Sequence, residues 1–318
     1  MRRLLFLLLM LAIPFSRSSA GEKVYRLGEL EPSAASLGLT HSPMLPELEK
    51  LGFSEGRNLI LEARVGDAAA MTGLARELLL VHPDAIIAVG PDATHAAHEA
   101  TSTVPLVMFG PDPVRYGWAA SLAHPGGNVT GVYTLAGELD GKRLDLLHEA
   151  VPAARRFAAL LMPSIPGRQP SEQEMRAVAA SLGVDLLTFD APGPGDYPTA
   201  FAAMREAGTQ ALVIMANPTF YRDAASLAEL ALDAGLPTVC EWGEMARSGG
   251  MLGYGPNRPE LRRRLAHYVA QIFQGAAPGD LPIELPTHYG FVVNLKTAKE
   301  LGLTVPPSIL ARADEVIQ

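Results

Sequence analysis

Three short patterns in the sequence hold residue types that catalysis, metal binding or nucleotide binding would need. The first, Gly52-Phe53-Ser54-Glu55-Gly56, fits the G-x-S-x-G arrangement of a serine nucleophile. That arrangement exposes its serine by turning sharply from a strand into a helix. Here the expected order is reversed, with a helix ending near residue 51 and a strand starting near 59, so Gly52 reads as a helix C-cap and Gly56 as a turn residue. The second pattern is His95 and His98 with Glu99, which a helix would place on one face. A closed metal site needs three or four ligands, and no Cys or further His at metal spacing stands nearby. A solvated helix face is the expectation, with no metal and no cofactor. The third pattern, Gly253-Tyr254-Gly255, lacks the third glycine of a dinucleotide fingerprint and runs into Pro256. No catalytic residue is assigned.

The chemistry that remains lies just past the C-terminal ends of expected strands. Glu29, Glu31 and Ser33 follow the first strand, Gly90, Asp92 and Thr94 the third, and Asp112 the fourth. Ser164, then Asn217 with Phe220, then Glu241 with Trp242 hold the equivalent places later, and Tyr254 closes the tenth strand. Open parallel sheets bind ligands at these ends, beside helix N-termini. For any one Asp, Asn, Ser or Thr the default role is a helix N-cap; as a converging set they outline a binding site. The residues assigned to it are Ser33, Gly90, Asp92, Thr94, Asp112, Asn217, Phe220, Trp242 and Tyr254. Ser33 and Thr94 are expected to hold a carboxylate or other acceptor, Asp92 and Asp112 an ammonium or hydroxyl. Phe220, Trp242 and Tyr254 supply apolar walls.

The elements that must position this set follow from apolar patterning. Strands are expected near 24–30, 59–65, 85–90, 106–110, 129–133, 157–163, 184–190, 211–217, 238–242 and 250–254. Between them fall helices near 43–51, 68–81, 92–101, 138–150, 171–182, 198–207 and 220–234. Runs such as AIIAVG and ALVIMAN are apolar throughout, as in strands covered on both faces. The expected fold is α/β, two doubly wound parallel-sheet lobes divided near Thr134. A loose internal repeat, DAIIAVGPDATHAAHEA against QALVIMANPTFYRDAASLA, fits two similar lobes. After the tenth strand the pattern changes to a long helix at 258–275, a Pro-rich stretch, a strand at 291–294 and two short helical pieces. A tail of that kind passes between lobes more than once.

Composition bounds the partners. The chain has 318 residues, enough for two domains, and its 34 acidic against 26 basic side chains give a net charge of −8. Such a balance argues against nucleic acid or an anionic bilayer as main partner. Arg2 and Arg3, the apolar run 4–13 and the small residues Ser18-Ser19-Ala20 have the plan of a secretory signal peptide cleaved after Ala20. The run is well short of the roughly 20 residues that span a bilayer. The single cysteine, Cys240, excludes an intrachain disulfide, and no Cys stands at the cleavage junction for lipid attachment. Cys240 reads as a buried structural thiol.

The ending PTHYGFVVNLKTAKELGLTVPPSILARADEVIQ resembles that of a large bacterial family of ABC-transporter substrate-binding proteins, the group with tryptophan- and phenylalanine-binding members. LGFSEGRN, DAIIAVGPDAT, FGPDPV, HPGGNVTGVYT, ELDGKRLDLL and SGGMLGYGPN fall in the family's order. The resemblance implies the type I periplasmic-binding fold, two α/β lobes with a three-crossing hinge. It implies one lobe of 21–133 plus about 256–286 and another of 134–255 plus about 287–318. Crossings would fall near 130–134, 254–256 and 286–289. Two departures stand in the expected cleft: Gly90-Pro91-Asp92 where relatives often carry Gly-Thr-Pro, and Asn217-Pro218 where they often carry Asp-Pro. An acid gained and an acid lost would change the charge pattern offered to ligand. The implied function is capture of a small molecule, an amino acid or similar small polar or aromatic solute, for an ABC permease in the inner membrane. The carrier is expected to be a periplasmic monomer and not an enzyme. A sensor reporting to a membrane kinase would use the same clamp, and a secreted hydrolase is the third reading.

Overall fold

A computed structural model describes residues 23–163 and 168–318. The expected leader (residues 1–20) and Ser164 lie outside the described residues. The strands are Tyr25–Glu31 (β1), Leu59–Val65 (β2), Ala85–Val89 (β3), Leu106–Gly110 (β4), Val129–Tyr133 (β5), Arg156–Leu161 (β6), Asp185–Asp190 (β7), Ala211–Ile214 (β8), Thr238–Cys240 (β9), Leu252–Pro256 (β10), Tyr289–Asn294 (β11) and Glu315–Ile317 (β12). The helices are Ala34–Lys50 (α1), Met71–Leu79 (α2), Pro91–Ala100 (α3), Asp140–Ala150 (α4), Arg168–Leu182 (α5), Tyr197–Glu206 (α6), Pro218–Arg222 (α7), Ala224–Asp233 (α8), Gly243–Arg247 (α9), Arg258–Phe273 (α10), Leu295–Glu300 (α11) and Pro307–Leu310 (α12).

β1–β5 make one parallel sheet in the order β2-β1-β3-β4-β5. The second sheet runs β12-β11-β10-β9-β8-β6-β7, and only β10 with β11 is antiparallel. Read from its far end, β7-β6-β8-β9-β10 repeats the order of the first sheet, so the faint internal repeat is one topology used twice. In each sheet the order reverses beside its first strand, at β1/β3 and β6/β8, and a crevice opens there at the C-terminal ends. The strands β3, β4, β5 and β8 are buried along their length, which is why they read as unbroken apolar runs.

The chain passes between the sheets three times. The first passage leads from β5 to α4. The second is Pro256 to Arg258: β10 belongs to the second sheet, while α10 packs on α1, β3, β4 and β5 of the first. The third follows Glu284, which bridges to Val132 of β5 before β11 joins β10. Among the described residues no helix is long and apolar enough to cross a membrane.

Several elements differ from the sequence expectation, among them a short helix, α9, where none was expected. α1 starts at Ala34 and carries Pro43 and Pro46 inside it, whereas the sequence expectation was a helix near 43–51. Ser33 caps it by accepting from the Ser36 N–H at 3.1 Å, and Ser36, Thr40, Met44 and Leu48, spaced by four, bury one face. The helix expected over 220–234 is two, α7 and α8, broken at Asp223, whose carboxylate takes the Tyr197 hydroxyl at 2.8 Å and the Arg222 guanidinium. The tail adds an unexpected strand, β12, parallel to β11. Its three residues are too short to show a periodicity.

Candidate ligand-binding site

A cleft of about 1250 Å³, open mouth included, lies between the two sheets at the C-terminal ends of their strands. Ser33, Gly90 and Asp112 reach it from the first sheet, Asn217, Phe220 and Trp242 from the second. The lobes stand close together: a Cβ on Gly90 would lie 3.7 Å from Pro218 Cγ across the gap. Gly90 also has φ +88°, a left-handed conformation that side chains resist, so the first turn of α3 needs glycine there.

Local hydrogen bonds fix each polar group. Ser33 caps α1 at one rim. Asn217 caps α7 by accepting from Thr219 N–H at 2.7 Å, while its own N–H donates to Glu241 Oε2 at 2.9 Å. Asp112 Oδ1 accepts from the N–H groups of Val114 and Arg115, at 2.9 and 3.3 Å, which turns the chain at the first lobe's rim. Phe220 is fully buried and Trp242 nearly so, and both form wall and floor.

Three sequence-assigned residues do not line the cleft. Asp92 sits in the first turn of α3 with its side chain to solvent. Thr94 is buried and its hydroxyl donates to the Gly90 carbonyl one helical turn back, at 2.8 Å, so it serves α3 and not a ligand. Tyr254 points away because strand neighbours alternate faces. Its ring stacks on Tyr289, centroids 6.1 Å apart, and meets Phe291 edge-on. Glu29 and Glu31 are also behind the cleft, fully buried, with Glu29 taking His41 at 2.5 Å and Glu31 the Thr40 hydroxyl at 2.6 Å. The buried thiol of Cys240 packs in the second lobe, its pKa pushed up to about 12 by burial. Ser54 of the apparent nucleophile motif lies in the turn before β2, at the end of the sheet opposite the cleft. His95 is exposed on α3.

Charged groups that sequence reasoning did not assign line the cleft (Asp140, Glu241 and Arg258) or stand behind it (Arg143). Arg143 of α4 is completely buried and holds four acceptors: Tyr254 O at 2.8 Å, Ala136 O at 2.6 Å, Asp140 Oδ1 at 2.6 Å and Glu241 O at 3.3 Å. It thereby ties the first and second passages to the end of β9. Burial pushes Asp140 up to about 6, against the pull of Arg143, and Glu241 up to about 7, against Arg143 and Arg258. Arg258 opens α10 at the second passage and stands over the rings of Tyr221 and Trp242, 4.1 and 4.7 Å from their centroids. One signal was available: RPELRRR puts cations at a helix N-terminus, where the helix dipole disfavours them.

The two-lobed α/β architecture agrees with the comparisons with known proteins. Residues 33–317 match the family described as ABC transporter substrate binding protein. The chain belongs to that family. It is a substrate-binding protein and not an enzyme. It is 20% identical over 271 residues to a tyrosine-binding protein of Clostridioides difficile, covering 84% of this chain and 78% of the other. A conserved domain protein of Vibrio cholerae superposes with a TM-score of 0.86 at 24% identity, over 92% of this chain and all of that one. The ABC domain of Streptococcus pneumoniae in complex with L-Trp superposes at 0.84 with 22% identity, over 93% of this chain and all of the other. These structures share the type I periplasmic-binding fold, two α/β lobes around a central cleft.

Proposed function

We propose that this substrate-binding protein captures a small solute of the amino-acid class between its lobes and presents it, in the periplasm, to an ABC importer. The observation that carries the reading is the lining itself. Asp112 comes from the first lobe, Asn217, Phe220 and Trp242 from the second, and all meet in one cleft. A molecule that touches both walls favours the closed arrangement over the open one by its extra contacts. The lobes of the clamp are 23–133 with α10, and α4 to β10 with the tail from β11 onward. The three passages between them act as the hinge. Aromatic walls beside carboxylates suit a solute with a flat apolar part and a cation, which agrees with relatives named for tyrosine and complexed with L-Trp. Delivery to a permease, a monomeric carrier and export through the leader 1–20 complete the reading.

The test begins with a thermal-shift screen of amino acids, purines, sugars and small acids. A titration of wild type and Asp112→Asn with the stabilising compound follows. Asparagine keeps the Oδ1 acceptor that Val114 and Arg115 need, so folding is preserved and only the charge is lost. A ligand ammonium left without its counter-charge is expected to cost about 1–3 kcal/mol, roughly a ten- to hundredfold loss of affinity. Equal affinities would reduce Asp112 to a turn cap.

A further inference from the structure

We propose that the guanidinium of Arg258, at the second passage between the lobes, is the group that holds the carboxylate of the captured solute. The proposal rests on the capture reading above and assigns one contact within it.

Arg258 lines the cleft yet is only 8% exposed, and its Nε and Nη1 have no hydrogen-bond partner. One helical turn on, Arg262 is 1% exposed, stands 5.2 Å from the ring of the cleft residue Phe109, and leaves Nε and Nη2 without partners. Two buried cations thus sit side by side at the start of α10, among the described residues without an ion pair between them and any carboxylate. Buried carboxyl groups escape such a position by taking up a proton. A guanidinium has no such escape, because it does not deprotonate in proteins. Burial, with the neighbouring charge of Arg258, pulls Arg262 below its ordinary value.

The acids nearby do not complete the site. Glu31 attracts Arg262 but is raised by its own burial, accepts from Ser36 and Thr40, and keeps Oε2 unpartnered. Glu241 attracts Arg258, but burial holds its carboxyl near neutrality and one oxygen is committed to Asn217 N–H. The missing anion comes from outside. Tyr221 and Trp242 cover faces of the Arg258 guanidinium, so its N–H edges are the polar groups it offers. Those edges match the two oxygens of a carboxylate. With Asp112 on the facing lobe, a molecule carrying both a carboxylate and an ammonium would satisfy the two walls together.

A matched set of probes tests this: L-tyrosine, tyramine, which lacks the carboxylate, and 3-(4-hydroxyphenyl)propionate, which lacks the amine. The same amino acid, amine and acid comparison is made for each other amino acid that shifts the melting point. The decarboxylated amine is expected to bind roughly ten- to hundredfold more weakly than its amino acid. Arg258→Leu should lower the amino acid's affinity by a similar factor and leave the amine's unchanged, and Arg258→Lys should recover part of the loss. Without ligand, Arg258→Leu should melt higher than wild type, because it removes a buried unpaired charge; a purely structural arginine would lower the melting point when replaced. If the deaminated acid binds as well as the amino acid, the carboxylate site stands and the cleft takes plain acids. An amine that binds as well as its amino acid overturns the proposal, as does an Arg258→Leu effect equal for both. Should Arg258→Leu not fold, the wild-type comparison decides alone. If only neutral or cationic solutes stabilise the protein, the carboxylate site falls while capture stands. If no solute of any class does, capture falls and the proposal with it.

Discussion

Replacing Arg143 by alanine is expected to destabilise the protein by about 3–5 kcal/mol, the usual cost of removing one partner from a buried ion pair. Arg143 and Asp140 are both essentially inaccessible, and their contact of 2.6 Å is the only salt bridge Asp140 makes among the described residues. The same guanidinium satisfies the carbonyls of Ala136, Tyr254 and Glu241, which alanine would leave without their donor. The penalty should also depend on pH. Burial already raises Asp140 from its ordinary 3.8 to about 6, so in the folded protein it holds its proton more tightly than in the unfolded chain. Its contribution to stability is therefore complete below pH 3.8 and is lost as the pH rises through about 6. Without Arg143 that loss extends to higher pH, so the Arg143→Ala penalty should be greatest at neutral pH and shrink on acidification. Urea unfolding of wild type and variant at several pH values checks both points, and Asp140→Asn in the variant should restore part of the stability at neutral pH. A loss below about 1 kcal/mol at neutral pH would mean that water replaces the guanidinium without difficulty.

The second large effect is expected from a single methyl group. A Cβ on Gly255 would lie 2.1 Å from the Glu241 carbonyl oxygen and 3.0 Å from Trp242 Cε3. The first of these is backbone at the end of β9, so no side-chain rotation relieves it. Gly255→Ala must push β10 and the β9 end apart, at about 1–3 kcal/mol or more for overpacking of this kind. The displaced atoms are those that place Trp242 in the cleft and accept from Arg143. Stability and solute binding should therefore fall together, read as a lower melting temperature and a weakened ligand-induced shift. A variant with wild-type melting and binding would show that the two strands are not held at this separation.

What the sequence revealed and what it hid follow the range of the interactions involved. The parallel strands were legible because burial on both faces leaves an apolar run in the sequence itself, as in Ala85–Val89 and Ala211–Ile214. The cleft residues Ser33, Gly90, Asp112, Asn217, Phe220 and Trp242 were legible because topology alone puts the residues after such strands at one end of a sheet. Thr94 and Tyr254 were misplaced by one helical turn and by one strand position, distances at which only direction, not sequence order, decides. Arg143, Arg258 and Arg262 were hidden for a different reason. Whether a charge is buried depends on partners far away in the chain: Arg143 meets Tyr254 and Glu241, and Arg258 meets Tyr221 and Trp242. The first half of α1 was missed because its buried residues Ser36 and Thr40 are polar and give no apolar periodicity, although Ser33 caps the helix.

The central claim is that one small molecule is held between the lobes, and Trp242 is placed to report it. The chain has two tryptophans, and the other, Trp118, stacks on Tyr116 in the first lobe. In a Trp118→Phe background, the emission of Trp242 is followed while the compound that best raises the melting temperature is added. Trp242 lines the cleft, so a solute seated there changes the surroundings of its ring, and the expected result is a saturable change in its emission, at the affinity found by calorimetry and weakened in parallel by Asp112→Asn on the opposite lobe. A compound that binds by calorimetry while Trp242 emission stays constant and Asp112→Asn binds as wild type does would place the site elsewhere and contradict the account.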